Sequence, residues 1–147
     1  MIIVEQPNLW SCMPAAFATA TGIPIFSLLE SIGHDGSEII FPDLPEPLCR
    51  RGFHGQELSR ALLAFGFCVA SFESRPFGYL DEEHTFEFNE DLLSIMDDSI
   101  GVLGGRVRST GKLHAVAWDG TQCYDPNGFT HDRNYYEAEI YYRIGRA

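Results

Sequence analysis

Apolar and polar positions in the first part of the chain recur with a helical period. A run of mostly small apolar residues starts at Ser11 or Cys12, and Pro14 is tolerated in a first helical turn. Gly22 stops this run and Pro24 follows it, as after a helix end. Ile25, Leu28, Leu29 and Ile32 then share one helical face and close at Gly33. Leu58, Ala61, Leu62 and Phe65 mark a third helix over 55–66, with Gly66 just past its end. Between these helices, three prolines in "PDLPEP" rule out regular structure.

Strand patterns dominate from residue 67. "FCVASFE" predicts a buried strand in which Cys68 is a small core residue. "SRPFGYLDEEHT" reads as an exposed loop, and "NEDLLSIMDD" as a short helix capped by Asn89. "SIGVLGGRV" is a strand whose glycines mark a close approach or a bulge. In "AEIYYRIG", alternation puts Ala138, Ile140 and Tyr142 on one face, with Glu139, Tyr141 and Arg143 on a wet face. The chain has no internal repeat. The pattern predicts an α+β fold in one domain over 1–147, with a helical lobe over about 1–66 and a sheet lobe over about 67–147.

"HAVAWDGTQCYDP" is the most legible local piece. Asp119-Gly120 between alternating residues predicts a two-residue hairpin turn. In that register Trp118 faces Thr121, Val116 faces Cys123 and His114 faces Asp125. A different loop closure puts Asn127 in the place of Asp125. The other face carries Ala115 and Ala117, small enough for an element to pack closely.

Charge narrows the function classes. A formal net charge of −11 disfavours nucleic acid as a partner, because phosphate binding needs Lys and Arg. No apolar run reaches the ~18 residues of a membrane span, and no basic leader precedes an apolar stretch, so a cytoplasmic protein without membrane contact is expected. Cysteines stand at 12, 49, 68 and 123 with no C-x-x-C spacing, and neither a disulfide framework nor a metal is expected. His54 reads as a solvated residue just ahead of a helix.

The remaining chemistry centres on Cys12. A helix N-terminus favours an anion, and a neighbouring imidazolium favours a thiolate further. A third group must then orient the imidazole. The chain offers Cys12, His114 on a strand, and Asp125 with Asn127 behind it. Gln6 can present an amide N–H to an oxyanion. Ala15, Ala16, Ala18 and Ala20 let the Cys-bearing helix sit tight against a sheet.

"QPNLWSCMPAA", "HAVAWDG" and "YDPNG", in the order Gln, Cys, His, Asp, resemble the papain-like cysteine peptidase superfamily, in particular the C39-like peptidases. The resemblance implies a papain-like fold, with a central Cys-bearing helix of the N-terminal helical lobe packed on a C-terminal antiparallel sheet. It implies Cys12 as nucleophile, His114 as general base and then acid, Asp125 as the orienting group, and Gln6 with the Cys12 backbone N–H as the oxyanion hole. It implies a thiol hydrolase of peptide or isopeptide bonds in a protein or peptide substrate, without a cofactor. The family commonly has Gly after the Cys; Met13 stands there instead and narrows a cleft. Trp10, Met13, Asn127 and His34 are the cleft candidates, with a core place for Trp10 and a turn for His34 as competing readings. One alternative is a catalytically inactive papain-like domain that acts as an acidic protein-binding module or inhibitor. Another is an acyltransferase or amidase with a non-peptide substrate. Oligomeric state is left open by the sequence.

Overall fold

The computed structural model describes residues 1–38, 43, 52–73 and 92–147. The expectations for Cys49, most of "PDLPEP", the loop over 74–85 and the Asn89 cap lie outside those residues. Among the described residues the fold is mixed helix and antiparallel sheet. Helices α1 (Cys12–Thr21), α2 (Ile25–Ile32) and α3 (Gly55–Ala64) come first. Strands β1 (Phe67–Glu73), β2 (Gly101–Val107), β3 (Leu113–Trp118), β4 (Cys123–Asp125), β5 (Phe129–His131) and β6 (Tyr136–Arg146) follow. Residues 92–96 are helical, inside the stretch where a short helix was expected. A 3-10 turn over Arg133–Tyr135, like β5, was not anticipated.

The helix ends follow local chemistry. α1 and α2 stop at Gly22 and Gly33, with φ of 77° and 94°, a left-handed conformation that glycine adopts without steric cost. α3 ends one turn-residue earlier than its apolar face suggested: Phe65 is its C-cap and is exposed. His54 is the α3 N-cap and is half-buried rather than solvated; its backbone N–H donates to Glu57 Oε2 at 2.8 Å in a capping box.

The sheet runs in the order β1-β6-β2-β3-β4-β5, every pair antiparallel. Neighbouring residues of a strand point to opposite faces, and both faces are covered. Val102 and Ala115 pack with Ala15, Ala16 and Phe17 of α1. Leu103, Val116 and Trp118 pack with Leu92 and Met96 on the far side. Ala115 and Ala117 are buried, and α1 lies across β3 there, the close packing their size allows.

Three expectations change. "FCVASFE" is an edge strand, so its outward side chains, Cys68 among them, are exposed. In β6, pairing with β2 slips between Gly104 and Gly105: Gly105 faces Ala138 and Gly104 faces Ile140, which makes Glu139 an extra residue. Such a bulge swaps the faces beyond it. Ala138 therefore shares a cluster with Tyr141, which is fully buried, while Tyr142 faces the helices. The glycines permit the close approach, since a Cβ on Gly105 would fall on the Glu137 carbonyl.

The third change is the β3–β4 hairpin. Trp118 pairs with Cys123 and Ala117 with Tyr124, so the register is two residues from the expected one and the loop holds four residues. Asp119 is the cause. Its Oδ1 accepts from the N–H groups of Thr121 and Gln122 at 2.8 and 2.9 Å, and its Oδ2 from Tyr124 Oη at 2.8 Å. Those bonds build a wider turn around the carboxylate than a two-residue turn would provide. A shift of two keeps the residues that stay in the strands on their expected face and moves Thr121 into the loop.

Candidate active site

Cys12 is the first residue of α1, half-buried. Ser11 precedes it but does not cap the helix with its side chain. Its hydroxyl turns back to donate to the Asn8 carbonyl at 3.1 Å and accepts from the Asn8 N–H. The first N–H groups of a helix have no intrahelical acceptor, and Pro14 contributes none. The helix head is thus left open toward an anion at Cys12. The thiol lines a mostly apolar cleft of ≈ 360 Å³ with Trp10, Met13, Phe53 and His114, floored by Gly104 and Gly105.

His114 lies at the start of β3, opposite Gly105 of β2. Its Nε2 is 2.8 Å from Asp125 Oδ1. That bond leaves Nδ1 for the thiol, since the ring has only two nitrogens. Burial lowers the His114 pKa, but hydrogen bonds to Asp125 and Cys12, and their charges, outweigh it and raise the pKa to about 9. The ring is therefore an imidazolium at neutral pH.

Asp125 is 4% exposed and collects three donors. Besides His114 they are Tyr136 Oη, 2.7 Å from Oδ2, and the Asn127 N–H, 2.8 Å from Oδ1. Burial pushes its pKa up, yet these donors and the His114 charge hold it below the ordinary carboxylate value. Burial pushes the Tyr136 phenol well up, and the Asp125 carboxylate it donates to pushes it further.

Comparison with solved structures finds the same overall fold in a peptidase domain. The chain is similar to the peptidase domain of ComA of Streptococcus, a bi-functional ABC transporter involved in a quorum sensing pathway, with a TM-score of 0.55 at 13% identity, over 98% of this chain and 97% of that one. At that identity the likeness is one of fold. No protein-family model matches the chain, and no curated protein matches it. No helix among the described residues is long and apolar enough to cross a membrane.

The other anticipated residues divide between the cleft and its supports. The Gln6 backbone N–H donates to the Pro126 carbonyl at 3.1 Å, which ties the N-terminal segment beside Asp125. One N–H of the Gln6 amide is taken by the Asn8 carbonyl at 2.8 Å, which also fixes which end of the amide is NH₂. The second N–H of that group is left for another acceptor, while the buried Oε1 has no hydrogen-bond partner among the described residues. Trp10 and Met13 line the Cys12 cleft. The Asn127 residue is exposed and contributes its backbone N–H to Asp125. His34 stands behind the cleft. Its Nε2 lies 2.6 Å from Glu57, and its ring stacks on Phe53 at 4.7 Å, so it braces a wall without lining it.

Tyr136 and Phe53 were missed by sequence reasoning. Tyr136 lies in a tyrosine-rich strand with no local signal that one hydroxyl points at Asp125. Phe53 lacks a helical or strand period around it. Among the described residues, no group of three His, Cys, Asp or Glu is arranged to hold a metal.

Proposed function

We propose that the chain is a cysteine peptidase-like thiol hydrolase, a single C39-like, papain-like domain that cleaves a peptide or isopeptide bond in a protein or peptide substrate. The fold likeness to a peptidase domain supports the architecture. The observation that carries the chemistry is the His114 ring, bonded through Nε2 to Asp125 and interacting with the Cys12 thiol.

In this reading the proton of Cys12 already rests on the His114 ring, and Sγ attacks the substrate carbonyl carbon as the anion. The oxyanion that forms is met by the Cys12 backbone N–H and the second N–H of the Gln6 amide. His114 returns its proton to the leaving nitrogen as the C–N bond breaks, and an acyl thioester remains on Cys12. Water, deprotonated by His114, then attacks that thioester and frees the acid and the thiol. Asp125 holds the ring and balances its charge throughout. Cys12, Cys68 and Cys123 are free thiols, in keeping with a cytoplasmic setting.

The test is acylation by p-nitrophenyl acetate, followed by intact mass and by peptide mapping. One acetyl group on Cys12, lost in both Cys12→Ala and His114→Ala, is expected. Acetylation spread over several residues, or unchanged in His114→Ala, overturns the reading.

A further inference from the structure

Large apolar side chains left in solvent gather round His114. Leu9, Leu113, Phe129 and Tyr135 are between 41% and 83% exposed. They line two clefts that share Leu9, Leu113 and His114. The first cleft holds Cys12 and Met13. The second, of ≈ 460 Å³, runs past the other side of His114 to Phe129, His131 and Tyr135 and does not include Cys12. There His131 lies flat on Tyr135, 3.8 Å between ring centroids, with Phe129 6.2 Å from His131. This makes a continuous aromatic wall.

The chemistry assigns the two clefts different halves of a substrate. The acyl half is bonded to Sγ after the first step, so it occupies the cleft that contains Cys12. The leaving amine receives its proton from His114 and departs, so its half lies in a groove that touches His114 but not Cys12. That groove contains Lys112, the single lysine of a chain with a formal net charge of −11. Its backbone is fixed in the β2–β3 turn, where its carbonyl accepts from the Val107 N–H at 2.9 Å. Its ammonium forms no ion pair among the described residues, whereas Arg106 and Arg133 both pair with carboxylates.

Resting on the reading of Cys12 as nucleophile, we infer that this second groove receives the leaving half of a peptide substrate. Lys112 selects a carboxylate on that half, and the Phe129–His131–Tyr135 wall takes an apolar side chain. A cation with no ion-pair partner among the described residues, set in the cleft of an acidic protein, complements a negative partner and turns away a positive one.

The reverse of leaving-group departure tests it without a known substrate. The acetyl-Cys12 enzyme, made with p-nitrophenyl acetate, is offered dipeptides whose amino group competes with water for the thioester. By microscopic reversibility the nucleophile that captures the acetyl group binds where the leaving half binds. Phe-Asp-amide and Phe-Asn with a free C-terminus are compared with Phe-Asn-amide; the first reads a side-chain carboxylate, the second a terminal one. Capture about three- to fivefold faster with at least one carboxylate is expected. Lys112→Met should abolish that preference, Lys112→Arg keep it, and Lys112→Glu transfer it to Phe-Arg-amide. Acylation of Cys12 with equal capture of all dipeptides, or a preference unchanged in Lys112→Met, overturns this inference and leaves the hydrolase intact. Failure to acylate Cys12 overturns both.

Discussion

His114 Nε2 and Asp125 Oδ1 are 2.8 Å apart although the two residues do not stand opposite each other in the sheet. Trp118 pairs with Cys123, and continuing that register puts Asp125 level with Val116. The bond is therefore diagonal across β3 and β4, at a separation that long or ring side chains can span. Tyr136 and the Asn127 N–H hold the carboxylate in the orientation that makes the diagonal work.

The pair carries a signature in pH. The His114 pKa is raised from 6.5 to about 9, and Asp125 is lowered from 3.8, in each case against the effect of burial. A raised base contributes stability that is whole below 6.5 and lost as pH climbs through about 9. A lowered acid contributes stability present above 3.8 and lost as pH falls through its lowered value. The melting-temperature gap between wild type and Asp125→Asn should thus be widest between about pH 4 and about pH 6.5. A gap that is flat from about pH 3 to about pH 10 contradicts the pair.

Thiol reactivity should rank by environment. Cys123 is fully buried, and burial pushes its pKa up to about 12. Cys68 is exposed on an edge strand, its thiol facing the Arg146 carbonyl at 3.6 Å. Cys12 has the helix head and the His114 imidazolium. Competitive alkylation with iodoacetamide at neutral pH should label Cys12 at least about tenfold faster than Cys68. His114→Ala should remove that lead. Equal rates in wild type would contradict the dyad.

Tyr136→Phe removes the donor on Asp125 Oδ2 and leaves a buried oxygen without it. The cost to stability is about 1–2 kcal/mol, read from urea melts. With the carboxylate less constrained, acetylation of Cys12 by p-nitrophenyl acetate should slow about tenfold. An unaffected rate, with the stability loss present, would assign Tyr136 to packing alone.

Gly105→Ala should damage fold and site together. The new Cβ meets the Glu137 backbone, which cannot swing away as a side chain could. The expected cost is about 2–3 kcal/mol, by denaturant melts. Gly105 also pairs with His114, so Cys12 acetylation should slow as well. Gly66→Ala, at φ +85° with no atom near its Cβ, should cost only about 1 kcal/mol and leave acetylation unchanged.

Legibility followed the range of the forces involved. α1 begins at Cys12 and stops at Gly22 as its sequence predicts, because proline tolerance, glycine caps and small-residue runs act within a turn. The alternation around Asp119-Gly120 located the hairpin, and its parity held His114 and Asp125 on one face. The loop length did not follow, since Asp119 finds partners at Thr121, Gln122 and Tyr124 that a dipeptide rule does not weigh. Cys68 was misjudged because "FCVASFE" has the same sequence whether it sits at the centre or the edge of a sheet.

By itself, then, the sequence located α1, α2, α3 and most of the strands, though not β5, and the mixed helix and sheet class, and it offered candidates for the chemistry: a thiol at a helix head, an imidazole and a carboxylate on strands. Tertiary structure decided the rest. It brought α1 against β3, bent β6 with a bulge at Glu139, buried Tyr141, turned the Tyr136 hydroxyl toward Asp125, and set Lys112 in a groove beside His114. Each of these depends on contacts between residues far apart in the chain, whose energies are settled only when both faces of the sheet are packed.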